Sequence, residues 1–218
     1  MAENSSPPDD PALANELTRP RLLIGEGSDE VFFFKALLKN LAIDDVQIEG
    51  YDGKDNLFDY LDGLRDRPGF SHLRVLVVTR DADGDPAGAL AAVRGALQGN
   101  GFVVPPQPGV KLEGKPAVSF LILPGSNQAG MLEDLCLASL KHDAAWGCVG
   151  TYFDCLQEKG AFPSHEAKAR FRAWLAVQSK SDVRGVGGAA KADFFNWDSA
   201  AFENLKLFLT QAFSDESN

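Results

Sequence analysis

Apolar residues along this chain fall into short continuous runs and longer runs with helical spacing. The continuous runs are typical of strands buried on both faces and predict strands at residues 21–25, 46–49, 75–79 and 117–123. The helical spacing predicts helices at residues 28–41, 55–65, 86–97 and 131–140. Strands that alternate with helices predict an α/β fold, in which helices flank a mainly parallel four-stranded sheet.

The pattern changes to helices alone beyond about residue 149, with candidates at 151–157, 164–177, 181–190 and 199–213. We therefore predict a flexible tail (1–18), an α/β domain (19–145), a helical extension packed on the sheet (146–213) and a second flexible tail (214–218). The final helix carries an apolar stripe that predicts core packing, with a homodimer contact as the alternative use: Phe202, Leu205, Phe208, Leu209 and Phe213.

Composition narrows the class of protein. A hydrophobic fraction of 44% in 218 residues is enough for a sizeable core. The chain has no apolar run long enough to span a bilayer, and its polar, acidic N-terminus is unlike a secretion signal, so we expect a cytoplasmic protein without membrane contact. Cys136, Cys148 and Cys155 are odd in number and form no C-x-x-C pair, which favours buried reduced thiols over disulfides or zinc.

The net charge of −10, from 21 basic and 31 acidic residues, argues against a protein that coats nucleic acid through bulk electrostatics. An enzyme that engages a few phosphates through metal ions and a local basic patch remains compatible with it. The acidic balance also suggests that binding needs help from a partner.

Acidic side chains follow two of the predicted strands. Glu26 and Asp29 come directly after the first strand, and Asp81, Asp83 and Asp85 follow the third. In parallel sheets, ligand chemistry collects at the carboxyl ends of the strands. Two like charges about 4 Å apart repel by roughly 4 kcal/mol at an effective dielectric near 20, so gathered carboxylates require protonation or a hard cation such as Mg²⁺.

Each acidic motif also has a purely structural interpretation. Gly27 permits a tight turn, Ser28 can cap the next helix, and Asp29 complements the helix dipole. Asp83 belongs to an Asp-Gly turn dipeptide, although residues two apart in an extended segment face the same way. The metal hypothesis would fail if Glu26 and Asp81 lay farther apart than about 8 Å, since metal–oxygen distances are near 2.0–2.6 Å.

Taken together, Glu26-Gly27-x-Asp29 after one strand and Asp81-x-Asp83 after a later one resemble the Toprim domain, over roughly residues 20–140. This is the metal-binding fold of topoisomerases, bacterial primases, certain RNA-maturation nucleases and the OLD (overcoming lysogenization defect) nucleases. The chain is most similar to the OLD-like group and to bacterial Toprim-like families near it. The resemblance implies a Toprim-like fold and a Mg²⁺- or Mn²⁺-dependent nuclease.

The same resemblance implies further site residues. A Leu-Glu at a comparable helix start makes Glu133 a ligand of a second metal position, with Asp134 as its substitute. Lys191 looks similar to a late lysine near the metals of OLD-like nucleases, where it would stabilise charge on the phosphate; the alternative is a cation at a helix C-terminus. Arg80 either binds phosphate or pairs with a neighbouring acid.

The resemblance thus implies that Glu26, Asp29, Asp81, Asp83 and Glu133 hold the ions, with Glu26 acting as ligand, general base or acid. The substrate would be DNA or RNA. OLD nucleases carry an ATPase on the same chain, whereas the GSNQAG loop here lacks the Lys and Ser/Thr of a phosphate-binding loop, so an ATPase would be a separate partner, with phage defence as one setting. The alternatives are a non-catalytic metal-binding regulatory module and, with less support, nucleotidyl transfer as in primases.

Overall fold

The computed structural model describes residues 15–125, 127–180 and 182–214. Four strands and the helices between and after them make up this part of the chain. In chain order they are β1 (Arg21–Gly25), α1 (Ser28–Asn40), β2 (Val46–Gly50), α2 (Leu57–Leu64), β3 (Val75–Asp81), α3 (Pro86–Gly99), β4 (Ala117–Leu123), α4 (Leu132–Ser139), α5 (Trp146–Glu158), α6 (Glu166–Leu175), α7 (Gly185–Lys191) and α8 (Glu203–Phe213), with short 3-10 turns at Phe70–His72 and Ala200–Phe202.

The strands form one sheet in the order β2-β1-β3-β4, and every neighbouring pair is parallel. This confirms the predicted α/β fold with a four-stranded sheet between helices. The first and third strands are neighbours, with Arg21 opposite Val75 and Ile24 opposite Val78. Since β3 runs on to Asp81 beside Leu123 of β4, the two acidic motifs end at the same edge of the sheet.

The sheet separates two hydrophobic layers, which explains why its strands are continuously apolar. Leu23 and Val77 point into the layer that contains α1 and the C-terminal helices. Leu22 and Leu76 point into the other layer, with α2 and α3. Successive strand residues therefore face different helices, and the face on which each polar residue lies decides what it can contact.

The C-terminal helices pack on the same face of the sheet as α1. An aromatic cluster joins this C-terminal part of the chain to α1. The ring centroid of Phe33 in α1 lies 5.8 Å from that of Phe195 and 5.5 Å from that of Trp197. The apolar stripe of the last helix is buried within the chain at all five positions, 202, 205, 208, 209 and 213. These side chains form core, as predicted, and are not available for a dimer contact in this fold.

Several local predictions need correction. Ser28 is the first residue of α1 rather than its cap, which is Gly27 and makes no side-chain capping bond. Asp85, the last of the three acids after the third strand, caps α3, because its carboxylate accepts a hydrogen bond from the Gly88 amide. Only Cys136 of the three thiols is buried, because Cys148 and Cys155 lie on the exposed face of α5.

Both predicted tails fall largely outside the described residues, at 1–14 and 215–218. The predicted start of a helix at residue 181 also lies outside them, and α7 begins at Gly185. Across the described ranges, none of the helices has the length and apolarity that a bilayer crossing requires.

Candidate metal centre

Three carboxylates meet at the carboxyl edge of the sheet. One oxygen each from Glu26, Glu30 and Asp81 lies within 4.8 Å of the other two. This spacing is well inside the span of about 8 Å beyond which a shared cation is excluded. The ends of β1 and β3 therefore bring Glu26 and Asp81 to one place, and the first turn of α1 adds Glu30.

Strand alternation directs Asp81 toward this place. Val77, Thr79 and Asp81 share the face of β3 that lies against α1, whereas Arg80 points to the opposite face. The carboxylate of Asp81 then accepts a hydrogen bond from the Leu132 amide at the start of α4, at 2.9 Å. A helix N-terminus favours negative charge, so α4 holds this carboxylate in place.

Glu30 lies in the first turn of α1, and its carboxylate reaches back to the backbone at the end of β1, where Glu26 lies. Glu30 Oε2 accepts hydrogen bonds from the Glu26 amide at 2.9 Å and from the Thr79 hydroxyl at 3.2 Å. A Cβ atom on Gly25 would collide with the Glu30 carboxylate. Glycine at the end of β1 is therefore what allows this buried acid to lie against the strand.

Burial is the main influence on the ionisation of these acids. Glu30 is 5% exposed and Asp81 is 9% exposed. Burial and the charges of Glu26 and Glu133 raise the pKa of Asp81 to about 8. Burial and the neighbouring Asp81 also raise the pKa of Glu30 well above its usual range, and burial raises the pKa of Glu26 against the opposing charge of Arg80. The ionised cluster is thus unfavourable without a counter-charge.

The three carboxylates line a cavity of about 270 Å³, which we call the acidic cavity. Asp29, Glu133 and Lys168 complete its walls. Glu133, at the start of α4, lies 3.9 Å from the Lys168 ammonium, and burial raises the pKa of this carboxyl. Asp29 and Glu133 therefore face the same space as the three-carboxylate cluster.

Asp29 is held by a close approach of α7 to α1. Its carboxylate accepts a hydrogen bond from the Gly187 amide at 3.0 Å. A Cβ on Gly187 would lie 2.7 Å from the Asp29 carbonyl oxygen, and one on Gly185 would meet the Asp29 carboxylate. The glycine-rich sequence of α7 is therefore what lets this helix reach the acidic cavity.

Asp83 and Arg80, both named from the sequence, lie outside this cavity. Asp83 adopts a positive φ of 49°, and its carboxylate pairs with Lys54 at 3.1 Å instead of joining the three-carboxylate cluster. Arg80 donates to the Lys54 carbonyl oxygen at 2.7 Å. Both residues line a neighbouring cavity, which shares Asp81 with the acidic cavity.

The lysine that lines the acidic cavity is Lys168, and not Lys191 as the sequence predicted. Lys191 ends α7 with its ammonium over the Phe32 ring, and it lines a cavity with Lys39 and Trp197 rather than the acidic cavity. Lys168 of α6, which the sequence did not single out, lines the acidic cavity. No local pattern around Lys168 signals this position, whereas Glu30 could have been considered as a second acid beside Asp29 in the first turn of α1.

The residues present fit a hard divalent cation. The ligand set consists of carboxylate oxygens, which Mg²⁺ and Mn²⁺ prefer. The nearest buried thiol, Cys136, has its pKa raised by burial, so it stays protonated and is a poor metal ligand. Closely spaced, buried carboxylates with raised pKa values are the arrangement that such a cation would relieve.

The fold has a counterpart among solved structures. A comparison matches the C-terminal region of the Burkholderia pseudomallei OLD protein with a TM-score of 0.50, over 91% of this chain and 100% of that one. The two sequences are 14% identical, so the match concerns the fold. The acidic motifs resemble those of OLD-like proteins, and this match shows that the overall fold is similar as well. A comparison with curated proteins found no match.

A family model matches residues 20–214, which include the whole sheet, the acidic cavity and all eight numbered helices. Its description is "Protein of unknown function (DUF3226)". The chain therefore belongs to the DUF3226 family.

Proposed function

We propose that this chain is a Mg²⁺- or Mn²⁺-dependent nuclease that hydrolyses phosphodiester bonds in DNA or RNA. The observation that carries the proposal is the placement of Glu26, Glu30 and Asp81 oxygens within 4.8 Å of one another in the wall of a cavity. A fold shared with the C-terminal region of an OLD protein supports the same class.

The residues divide into two candidate metal positions. Glu26, Glu30 and Asp81 would hold one ion, and Asp29 with Glu133 would contribute to a second across the cavity. When bound, such ions supply an activated water and neutralise charge on the phosphate. Asp83, paired with Lys54, acts from outside the cavity through its charge, which adds to the rise in the pKa of Glu26.

Lys168 takes the role that the resemblance assigned to Lys191. Its ammonium lies 3.9 Å from Glu133 and lines the cavity, so it can donate a hydrogen bond to a phosphate oxygen bound there. A cation fixed beside developing negative charge lowers the barrier most where water is scarce. Glu26, whose pKa is raised, is suited to accept a proton from the attacking water.

A separate ATPase partner and a cytoplasmic location complete the proposal. Both rest on the resemblance to OLD-like proteins and on the acidic composition of the sequence. We do not assign a homodimer, because the apolar stripe that suggested one is buried within the chain.

The test is a cleavage assay with purified chain on plasmid DNA, single-stranded DNA and structured RNA, in Mg²⁺ or Mn²⁺ and in EDTA. We expect cleavage that requires the cation and falls by at least about 10²-fold in Glu26→Gln and Asp81→Asn. Cleavage that persists in both variants would reject the site. Tight metal binding without cleavage of any substrate would instead favour a metal-binding regulatory module.

A further inference from the structure

The acidic cavity opens onto a larger one. Ser28, Asp29, Glu133 and Lys168 line both. The larger cavity has a volume of about 880 Å³ and continues between α6 and the segment that enters α7. We call the part beyond Lys168 the arginine groove, after Arg172 and Arg184 in its walls.

The charge of the groove is opposite to that of the molecule. The chain carries a net charge of −10, yet the lining residues that the larger cavity does not share with the acidic cavity include no acid. They are apolar or cationic: Phe171, Arg172, Leu175, Ala176, Val183, Arg184 and Gly185. An anion is therefore favoured at this place although the chain as a whole is acidic.

Arg172 differs from Arg170, the other arginine of α6, in its contacts. Its side chain is exposed and, across the part of the chain that the structure describes, forms no ion pair. Arg170 of the same helix is different, since it pairs with Glu166 at 2.7 Å and lies over the Phe153 ring. One arginine of α6 is thus committed to the fold, and the other faces the groove.

The spacing along α6 suits a chain of phosphates. Lys168 and Arg172 are four residues apart on one side of the helix, a step of about 6 Å along its axis. Successive phosphates of an extended polynucleotide strand are separated by a similar step. Guanidinium groups bind phosphate oxygens through paired N–H donors, so a strand can follow this row from Arg172 to Lys168.

The size of the groove selects a single strand. The major groove of duplex DNA alone is about 12 Å wide, and a whole duplex cannot enter a cavity of about 880 Å³. The buried position of Asp81 requires the reacting phosphate to enter the acidic cavity itself. A single strand can do so, with its sugars and bases against apolar side chains such as Leu175 and Val183.

We propose that the arginine groove binds a single polynucleotide strand, with Arg172 and Arg184 holding phosphates next to the one in the acidic cavity. This inference rests on the proposed function for the identity of the reacting phosphate. It assigns a substrate-binding role to two residues that need not contact the metal or the bond that breaks.

Binding can be measured apart from cleavage. Fluorescence anisotropy of labelled oligonucleotides in Ca²⁺, with gels to verify that the strand stays intact, compares wild type with Arg172→Gln, Arg184→Gln and the double variant. Arg74→Gln is the matched control, since Arg74 is exposed at the opposite end of β3. We expect the double variant to bind single strands on the order of tenfold more weakly, and the control to bind like wild type.

Salt dependence gives a second readout that misfolding would not mimic. For single strands, the slope of log K against log salt falls by about 0.7 for each lost phosphate contact. The double variant should therefore show a slope shallower by about 1.4, and thermal unfolding should confirm that it is folded. Single-stranded DNA and RNA arms identify the preferred sugar, and tighter binding of duplex than of single strand would overturn the proposal.

The two proposals fail in different ways. Suppose that the wild type shows cation-dependent cleavage and that the double variant keeps its affinity for single strands and its salt slope. This result would reject the binding role of the arginine groove and would leave the nuclease proposal intact. Binding that depends on both arginines, without cleavage under any condition, would support the groove and reject the nuclease.

Discussion

The backbone amide of Asp81 donates a hydrogen bond to Glu26 Oε1 at 3.3 Å. This hydrogen bond joins the ends of two adjacent parallel strands through the Glu26 carboxylate, which is also a proposed metal ligand. It also means that Glu26 is held in place by the sheet itself before any ion binds. A site that is arranged in advance loses less conformational entropy on binding.

Metal binding should depend on Asp81 far more than on Asp83. Asp81→Asn removes a carboxylate from the cluster, whereas Asp83→Asn removes one that is paired with Lys54 outside the cavity. We expect Mn²⁺ affinity, measured by isothermal titration calorimetry, to fall by at least about tenfold in Asp81→Asn and by less than about threefold in Asp83→Asn. Equal losses would show that the turn at Asp83 rearranges to supply a ligand.

The stability of the metal-free protein should fall as the pH rises from about 5 to 8. The pKa of Asp81 is about 8 in the folded chain against about 3.9 in an unfolded one. The folded protein therefore holds this proton more tightly, so its stabilisation is complete at low pH and is lost as the pH rises through the folded value. Glu30 and Glu26, whose pKa values are also raised, act in the same direction.

Urea unfolding in EDTA and in Mg²⁺ at several pH values measures this effect. Each unit of pKa difference corresponds to about 1.4 kcal/mol, so we expect a loss of a few kcal/mol in EDTA, a weaker dependence in Mg²⁺, and a weaker one in Asp81→Asn. Stability in EDTA that increases between pH 5 and 8 would contradict the buried, repelling cluster.

The two lysines should differ in their effect on catalysis. Lys168→Gln removes the cation that lines the acidic cavity, and we expect kcat to fall by about 10²-fold, while Mn²⁺ affinity stays the same or rises because a positive charge near Glu133 is gone. Lys191→Gln is the matched control and should retain activity within about twofold, since its ammonium lies over Phe32. A larger loss of kcat in Lys191→Gln than in Lys168→Gln would show that Lys191 is the lysine that acts in catalysis.

Gly187 should be required for the packing of α7 on α1. Alanine there places a Cβ 2.7 Å from the Asp29 carbonyl oxygen and 2.8 Å from Phe32 Cβ, so we expect Gly187→Ala to lower the free energy of unfolding by about 1–3 kcal/mol. Gly150→Ala in α5 is the control, because its Cβ would meet nothing within 4 Å, and it should stabilise the protein by about 0.5–1 kcal/mol. Chemical unfolding measures the stability of both variants. Equal changes in the free energy of unfolding would contradict the close packing of α7 on α1 at Gly187.

The predictable part of this structure depends on short stretches of sequence. Continuous apolar runs located all four strands, and the strands at 21–25 and 117–123 have the predicted bounds. The predicted helices exist, although their ends shift by a few residues; α5, for example, begins at Trp146 rather than at residue 151. The site residues after β1 and β3 followed from a general property of parallel sheets, whose carboxyl ends share one edge.

The unpredictable part depends on how distant segments pack. Lys168 lies 142 positions after Glu26 by residue number (168 − 26) and reaches the acidic cavity only because α6 packs beside α4. Lys191, by contrast, is turned toward Phe32 by the position of α7. The burial of Glu30 depends on Thr79 of β3 and on the glycine at position 25, and neither contact is visible from the sequence around Glu30.

The amino-acid sequence by itself determined the α/β class, the order of strands and helices, and the appearance of acids after two strands, because periodicity and strand ends are local properties. The tertiary structure alone decided that Asp83 pairs with Lys54 while Glu30 joins the buried cluster, and that Lys168 and Arg172 line the cavities. Those outcomes follow from side-chain direction on packed helices and on the alternating faces of a strand, and that direction is set by contacts between residues far apart in the chain.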